Sequence, residues 1–264
     1  MNRPLSVSET IHKRSAENKG SLIAYLPVGF PTLEDSIEAS VAALEGGADV
    51  LELGVPYSDP VMDGPVIASA TQKALENGFK LSQLFGAVEE ITRRTDKPVL
   101  VMTYWNPVVQ YGVERFGTDL AAAGGAGLIT PDLIPDEAST WLEVSDQNDL
   151  ERVFLAAPSS TDQRLQRAIE VSRGFVYAVS TMGITGARSD VDQAAKVLVE
   201  RLRHEGNANV CVGLGISTPE QVKDIISFAD GAIVGSAFVK ALEQGGPEAV
   251  RELAHGLSLG TSRD

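Results

Sequence analysis

The chain has 264 residues, 43% hydrophobic and 22% charged, enough for one large core in a single domain spanning 1–264. Its 36 acidic against 22 basic side chains leave a net charge of −14, which argues against a nucleic-acid backbone or an anionic membrane as partner, so any anionic ligand has to be held locally. Cys211 is the single cysteine, no apolar run approaches 18 residues and no cationic, then apolar, leader opens the sequence, so a cytoplasmic, reducing setting is expected.

A short helix is expected around 7–18. Val/Ile/Leu-rich runs then alternate with longer amphipathic stretches. The runs predict eight strands, near 21–27, 49–54, 98–103, 127–130, 152–156, 174–179, 209–213 and 231–234. Helices are expected near 32–46, 66–77, 81–95, 107–123, 135–147, 162–172, 190–205, 217–227 and 236–257, the last broken at Gly245-Gly246-Pro247. Gly46-Gly47-Ala48 and Gly124-Gly125-Ala126 repeat a helix end that returns tightly into a strand. The tail 257–264 is expected to fray. This alternation favours an α/β fold, a (β/α)8 TIM barrel with additional short helices, over an open doubly wound sheet.

Active sites of such barrels lie at the strand carboxyl ends. Glu52 sits there, in the apolar run Val50-Leu51-Glu52-Leu53-Gly54. A strand buried on both faces has no structural use for an ionised carboxylate, and burial raises its pKa towards the range useful for acid/base work. The bland alternative is a strand-end acid paired with a buried Lys or Arg. Asp63 follows eleven residues later on the loop, where it is either a second active-site acid or an N-cap for the next helix; Asp59, before Pro60, reads as a turn residue. Gly213-Leu214-Gly215-Ile216-Ser217 and Gly235-Ser236 follow strands seven and eight, the positions where such barrels hold a phosphate, although tight turn geometry would also account for the glycines.

The segment Ser180–Ser189 reads as a lid or as a connection without a role. Tyr25 and Tyr177, near the ends of strands one and six, wall a pocket or simply belong to the core. His12, His204 and His255 fall on predicted helices away from the mouth, no cluster has metal-ligand spacing, and no predicted strand carries a lysine. Metal, Cys, Ser–His–Asp and Schiff-base chemistries are therefore disfavoured, leaving carboxylate acid/base catalysis on a phosphate ester.

From Leu51 through Pro60 and on to Asp63-Gly64-Pro65 the chain resembles the tryptophan synthase alpha subunit family, and the likeness continues through Pro27-Val28-Gly29-Phe30-Pro31, Tyr104-Trp105-Asn106-Pro107, Gly183-Ile184-Thr185-Gly186, Gly213–Ser217 and Gly235-Ser236-Ala237. The resemblance implies retro-aldol cleavage of indole-3-glycerol phosphate to indole and glyceraldehyde 3-phosphate. It implies Glu52 as the acid/base, Asp63 as acceptor of the indole N–H, Tyr177 orienting Glu52, Tyr25 near the indole, Thr185 contacting Asp63, and backbone at Gly186, Gly215, Gly235 and Ser236 on the phosphate. It also implies no cofactor in this chain and a pyridoxal-phosphate beta subunit as partner in an alpha2beta2 heterotetramer. That partner would be met through Tyr57, Ser58, Asp59, Pro60, Asn106, Pro107, Asp132 and Pro135. Thr181-Met182, Leu214, Ile134 and Tyr25 depart from residues frequent in the family, which touches lid closure and partner affinity rather than the acids. The competing expectations are a stand-alone lyase releasing free indole, an activating module for the beta subunit with weak turnover, and another phosphate-binding barrel such as a sugar-phosphate isomerase.

Overall fold

The strands are short because each needs to cross only one wall of a closed sheet. The computed structural model describes residues 6–179, 188–213 and 215–263. Among them lie β1 (Ser21–Pro27), β2 (Val50–Gly54), β3 (Val99–Met102), β4 (Gly127–Ile129), β5 (Glu151–Val153), β6 (Leu155–Ala156), β7 (Val176–Val179), β8 (Val210–Gly213) and β9 (Gly231–Val234). All pair in parallel in the order β5-β4-β3-β2-β1-β9-β8-β7-β6. Since β5 and β6 are separated only by Phe154, and one pairs with β4 while the other pairs with β7, the sheet closes into a barrel. The single strand expected at 152–156 is thus divided, giving nine strands where eight were expected, with no change of architecture.

Register sorts each strand's side chains between two cores. Ile23, Val50, Leu100, Ile129, Val153, Cys211 and Ile233 fill the barrel interior, while their neighbours Leu22, Leu51, Val101, Leu128, Val212 and Ala232 face the helical ring. The ring comprises α2 (Leu33–Gly46), α3 (Pro65–Glu76), α4 (Ser82–Arg94), α5 (Trp105–Tyr111), α6 (Val113–Ala122), α7 (Ser139–Gln147), α8 (Asp162–Val171), α9 (Arg188–Glu205), α10 (Pro219–Ile226) and α11 (Ser236–Ser258). Helix starts follow from local chemistry: Thr32 caps α2, and Thr218 with Gln221 closes a capping box at α10, whose first residue is Pro219.

The N-terminal helix α1 (Val7–Ala16) plugs the barrel floor, with Val7 and Ile11 packed into the interior core. Glu151 anchors it. This buried carboxylate accepts from the Val7 and Ser8 backbone N–H groups at 2.6 and 3.0 Å and from the Ser8 hydroxyl at 2.9 Å, placing negative charge at a helix N-terminus.

Three expectations are corrected. The helix expected over 107–123 is two helices, because Gly112 takes φ 97° between α5 and α6. The stretch expected as a helix over 135–147 begins as a 3-10 turn, Pro135–Glu137, before α7. The tail does not fray up to Arg263: a 3-10 turn, Leu259–Thr261, leaves Thr261 1% exposed, Gly20 N–H donates to Thr261 O at 2.8 Å, and Arg263 N–H donates to Asn18 O at 2.9 Å. The break expected within the last helix is present, at Gly246.

Candidate active site

β2 delivers Glu52 to the mouth of the barrel as an inward-pointing residue, paired in register with Tyr25 on β1 and Leu100 on β3. Its carboxyl is 0% exposed, and neither oxygen has a hydrogen-bond partner among the described residues. Among the described residues no cation pairs with it, as a strand-end ion pair would require. Desolvation pushes its pKa up to about 8, so the group exchanges its proton near neutral pH.

Two tyrosines enclose it. Tyr25 on β1 is buried and Tyr177 on β7 is partly buried; desolvation, with the fields of Asp63 and Glu52 on Tyr25 and of Glu52 on Tyr177, holds both phenols well above their usual range. Their rings fit because the facing positions on neighbouring strands are glycine. A Cβ on Gly54 would lie 2.2 Å from the Tyr25 Oη, and one on Gly213 would lie 2.3 Å from the Tyr177 Oη. Neither phenol donates to Glu52, so Tyr177 meets the acid as an aromatic wall rather than by a hydrogen bond.

Asp63 lies on the loop between β2 and α3 and is not a helix cap. Gly64 holds the N-cap position with no side-chain cap, and Pro65 follows at the first helical position. Asp63 Oδ1 instead accepts from the Tyr104 hydroxyl at 3.1 Å. Partial burial raises its pKa and the Tyr104 hydrogen bond opposes that rise, so its environment differs from that of Glu52. Pairs of carboxyls with separated environments are how one site divides acid and base duties. Tyr104, part of the Tyr104-Trp105-Asn106-Pro107 motif, had no role expected from sequence. A polar aromatic just beyond a strand's carboxyl end, opposite an acid-bearing loop, was the available signal.

Three of the positions expected to hold a phosphate, Gly215, Gly235 and Ser236, are among the described residues. Gly235 is the N-cap of α11 without a side-chain cap, Ser236 begins that helix, and none of the described residues lies within 4 Å of where a Gly215 Cβ would stand. Thr185, Gly186, Thr181, Met182 and Leu214 lie outside the described residues.

The expected partner face is a rim over β2, β3 and β4. Asn106 donates to the Tyr57 hydroxyl at 3.3 Å, Trp105 N–H donates to Asp132 at 2.8 Å, the Ser58 hydroxyl donates to Asp59 at 2.5 Å, and Pro135 opens the 3-10 turn. Val61, Val109 and Ile134 on the same rim are 77%, 48% and 45% exposed. A cavity of about 1170 Å³ opens at the opposite end, lined by α1 and the turns entering the strands, among them His12, Asp149 and Arg173. The buried acid without a hydrogen-bond partner among the described residues, with its neighbours, is at the mouth instead.

A family model described as "Tryptophan synthase alpha chain" matches residues 11–259. The tryptophan synthase alpha chain of Leifsonia xyli subsp. xyli is 62% identical over 257 residues, covering 97% of this chain and 98% of the relative. That of Mycobacteroides abscessus is 52% identical over 263 residues, covering 100% of both. Among solved structures, tryptophan synthase from Mycobacterium tuberculosis superposes with a TM-score of 0.92 at 50% identity over 97% of each chain. The tryptophan synthase complex of Pyrococcus furiosus gives 0.82 at 35% identity over 91% of this chain and 98% of its own. With the barrel, the acid pair at its mouth and likeness over essentially full length, the chain belongs to the tryptophan synthase alpha chain family.

Proposed function

We propose that Glu52 and Asp63 divide the acid/base work of the family's alpha reaction, the retro-aldol cleavage of indole-3-glycerol phosphate to indole and glyceraldehyde 3-phosphate in tryptophan biosynthesis. Breaking the bond between the indole ring and the glycerol chain requires a proton on the ring carbon, removal of the proton from the adjacent glycerol hydroxyl, and relief of positive charge on the ring nitrogen. Glu52, with a pKa near 8 and no partner to bias it, serves as the acid at the ring carbon and, once ionised, as the base at the hydroxyl. Asp63 accepts the indole N–H and stabilises the charge that develops there. Tyr25 and Tyr177 supply aromatic walls for the ring, and the backbone at Gly215, Gly235 and Ser236 receives the phosphate, with Gly186 and Thr185 as further substrate-binding residues.

The chain itself needs no cofactor, and its family partner is a beta subunit carrying pyridoxal phosphate. We propose further that the two assemble as an alpha2beta2 heterotetramer in the cytoplasm, joined through Tyr57 to Pro60, Asn106, Pro107, Asp132 and Pro135. No helix among the described residues is long and apolar enough to cross a membrane. The observation that carries the assignment of roles is the fully buried, unpaired Glu52 carboxyl at the barrel mouth.

Indole release from indole-3-glycerol phosphate tests it. Glu52→Gln is expected to lower kcat by about a thousandfold or more while substrate still binds, and Asp63→Asn by at least about a hundredfold, the losses typical of an acid/base and of a charge stabiliser. Glu52→Gln retaining more than a few per cent of the wild-type rate removes Glu52 from that role.

A further inference from the structure

The loop that carries Asp63 has no regular structure between Val55 and Gly64, yet it is tied to the end of β3 twice. At its start, Val55 N–H donates to Met102 O at 2.9 Å. Near its end, Met62 N–H donates to the Tyr104 Oη at 2.9 Å, and the same oxygen donates its proton to Asp63 Oδ1 at 3.1 Å. Tyr104 is 5% exposed and is itself the N-cap residue of α5, and its ring packs on Tyr57 with centroids 5.1 Å apart.

We infer that Tyr104 is a positioning residue for the reaction: its hydroxyl fixes Asp63 Oδ1 and the Met62 backbone together, so that the other carboxylate oxygen is the one presented to the substrate N–H. The inference rests on the role proposed above for Asp63. A phenol has one proton to give. Here that proton is committed to Asp63, and an oxygen lone pair is committed to Met62, so Tyr104 acts through Asp63 rather than on the reacting atoms. Burial pushes the Tyr104 phenol up to about 12, which keeps it protonated and a donor throughout the working range. Its hydrogen bond favours the ionised form of Asp63 against the burial that disfavours it, so the same contact aims the carboxylate and keeps it charged. Tyr104 is also the N-cap residue of α5, so the residue at the start of this helix is the one that holds the Asp63 loop.

The test is Tyr104→Phe in the full-length chain, assayed for indole release between pH 5 and 9 with and without the cognate beta subunit. The ring and its packing on Tyr57 remain, so Tm should fall by no more than about 4 °C, since only the hydroxyl's two hydrogen bonds to the loop are lost. The kcat is expected to fall about ten- to a hundredfold, the loss of one hydrogen bond to a charged group. The acidic limb of the pH profile is expected to move up by about one unit, because a carboxylate deprived of a donor ionises later. Tyr104→Leu should displace the limb equally while also lowering Tm. An unmoved acidic limb in Tyr104→Phe, whether or not the rate falls, overturns the inference, since a purely structural role leaves the titration of Asp63 alone. Asp63→Asn in the same assay separates the two levels: if it retains the wild-type rate, the role of Asp63 itself is wrong, whereas a collapsed rate beside an unaffected Tyr104→Phe removes Tyr104 only.

Discussion

A carboxyl sealed from water holds its proton longer in the folded chain than in the unfolded one, and Glu52 does so by a wide margin, at about 8 against 4.5. The protonated form is what the fold accommodates. Its contribution to stability is therefore present in full below the unfolded value of 4.5 and is lost as pH rises through 8, because the unfolded chain releases the proton first. Glu52→Gln fixes the side chain in its neutral form and should match wild type at pH 4.5 but exceed it by a few kcal/mol at pH 8.5. Denaturant unfolding of both proteins at the two pH values measures this, and a difference that does not change with pH means that Glu52 is not held neutral by burial. Its position was legible from the sequence, since a charged residue interrupted an apolar strand. That it has no ion-pair partner among the described residues was not, because this depends on Tyr25 and Leu100 being placed opposite by register. The role of Tyr104 was only faintly signalled for a related reason: its contact with Asp63 exists only because an irregular loop returns to the end of β3.

At the level of elements, the β9–α11 turn is the part of the proposed phosphate site that the described residues carry most fully. Gly235 has no Cβ to fill the space before the helix, and one added there would stand 3.3 Å from Ile67 Cδ1 and 3.4 Å from Tyr25 Cδ1. Aspartate at that position is a favourable helix cap, so Gly235→Asp should fold, but its carboxylate occupies the N–H groups and repels the phosphate dianion. The expected result is a KM raised at least about tenfold with Tm not lowered, and Gly235→Ala should raise KM less because it adds bulk without charge. An unchanged KM in Gly235→Asp places the phosphate elsewhere. Most elements were readable because buried parallel strands and amphipathic helices announce themselves by apolar period, as in Val50–Gly54 and Ser82–Arg94. The errors fell where backbone rather than side-chain pattern decides. Gly112 splits one long helical pattern through its φ, and the polar tail is held by hydrogen bonds from Gly20 and Arg263 that no hydropathy pattern reports. Glu151, the anchor of α1, was missed in the same way: an acid at the start of a strand gains its meaning from a helix N-terminus 143 residues away in sequence.

On the scale of the whole molecule, the two ends of the barrel differ among the described residues. The floor is plugged by α1 and tied to Glu151, while the mouth presents Val61, Val109 and Ile134 to solvent on three successive connections, beside the loop that holds Asp63. The partner surface proposed above would cover these exposed apolar side chains. Covering that rim would restrict the Asp63 loop and favour the arrangement in which both acids face the substrate, so partner binding and turnover should be linked. Indole release by the chain alone is accordingly expected to be slow, and saturating beta subunit should increase it by at least about tenfold, a coupling within the usual range for linked sites. Val109→Asp puts a charge on the exposed face of α5 away from both acids, so it should leave the unassisted rate within about twofold of wild type while raising the beta-subunit concentration needed for half-maximal stimulation about tenfold or more. Rapid turnover by the isolated chain, indifferent to the partner and to Val109→Asp, would instead describe a lyase whose loop is already set by Tyr104 and its neighbours, and the apolar rim would then have no part in catalysis.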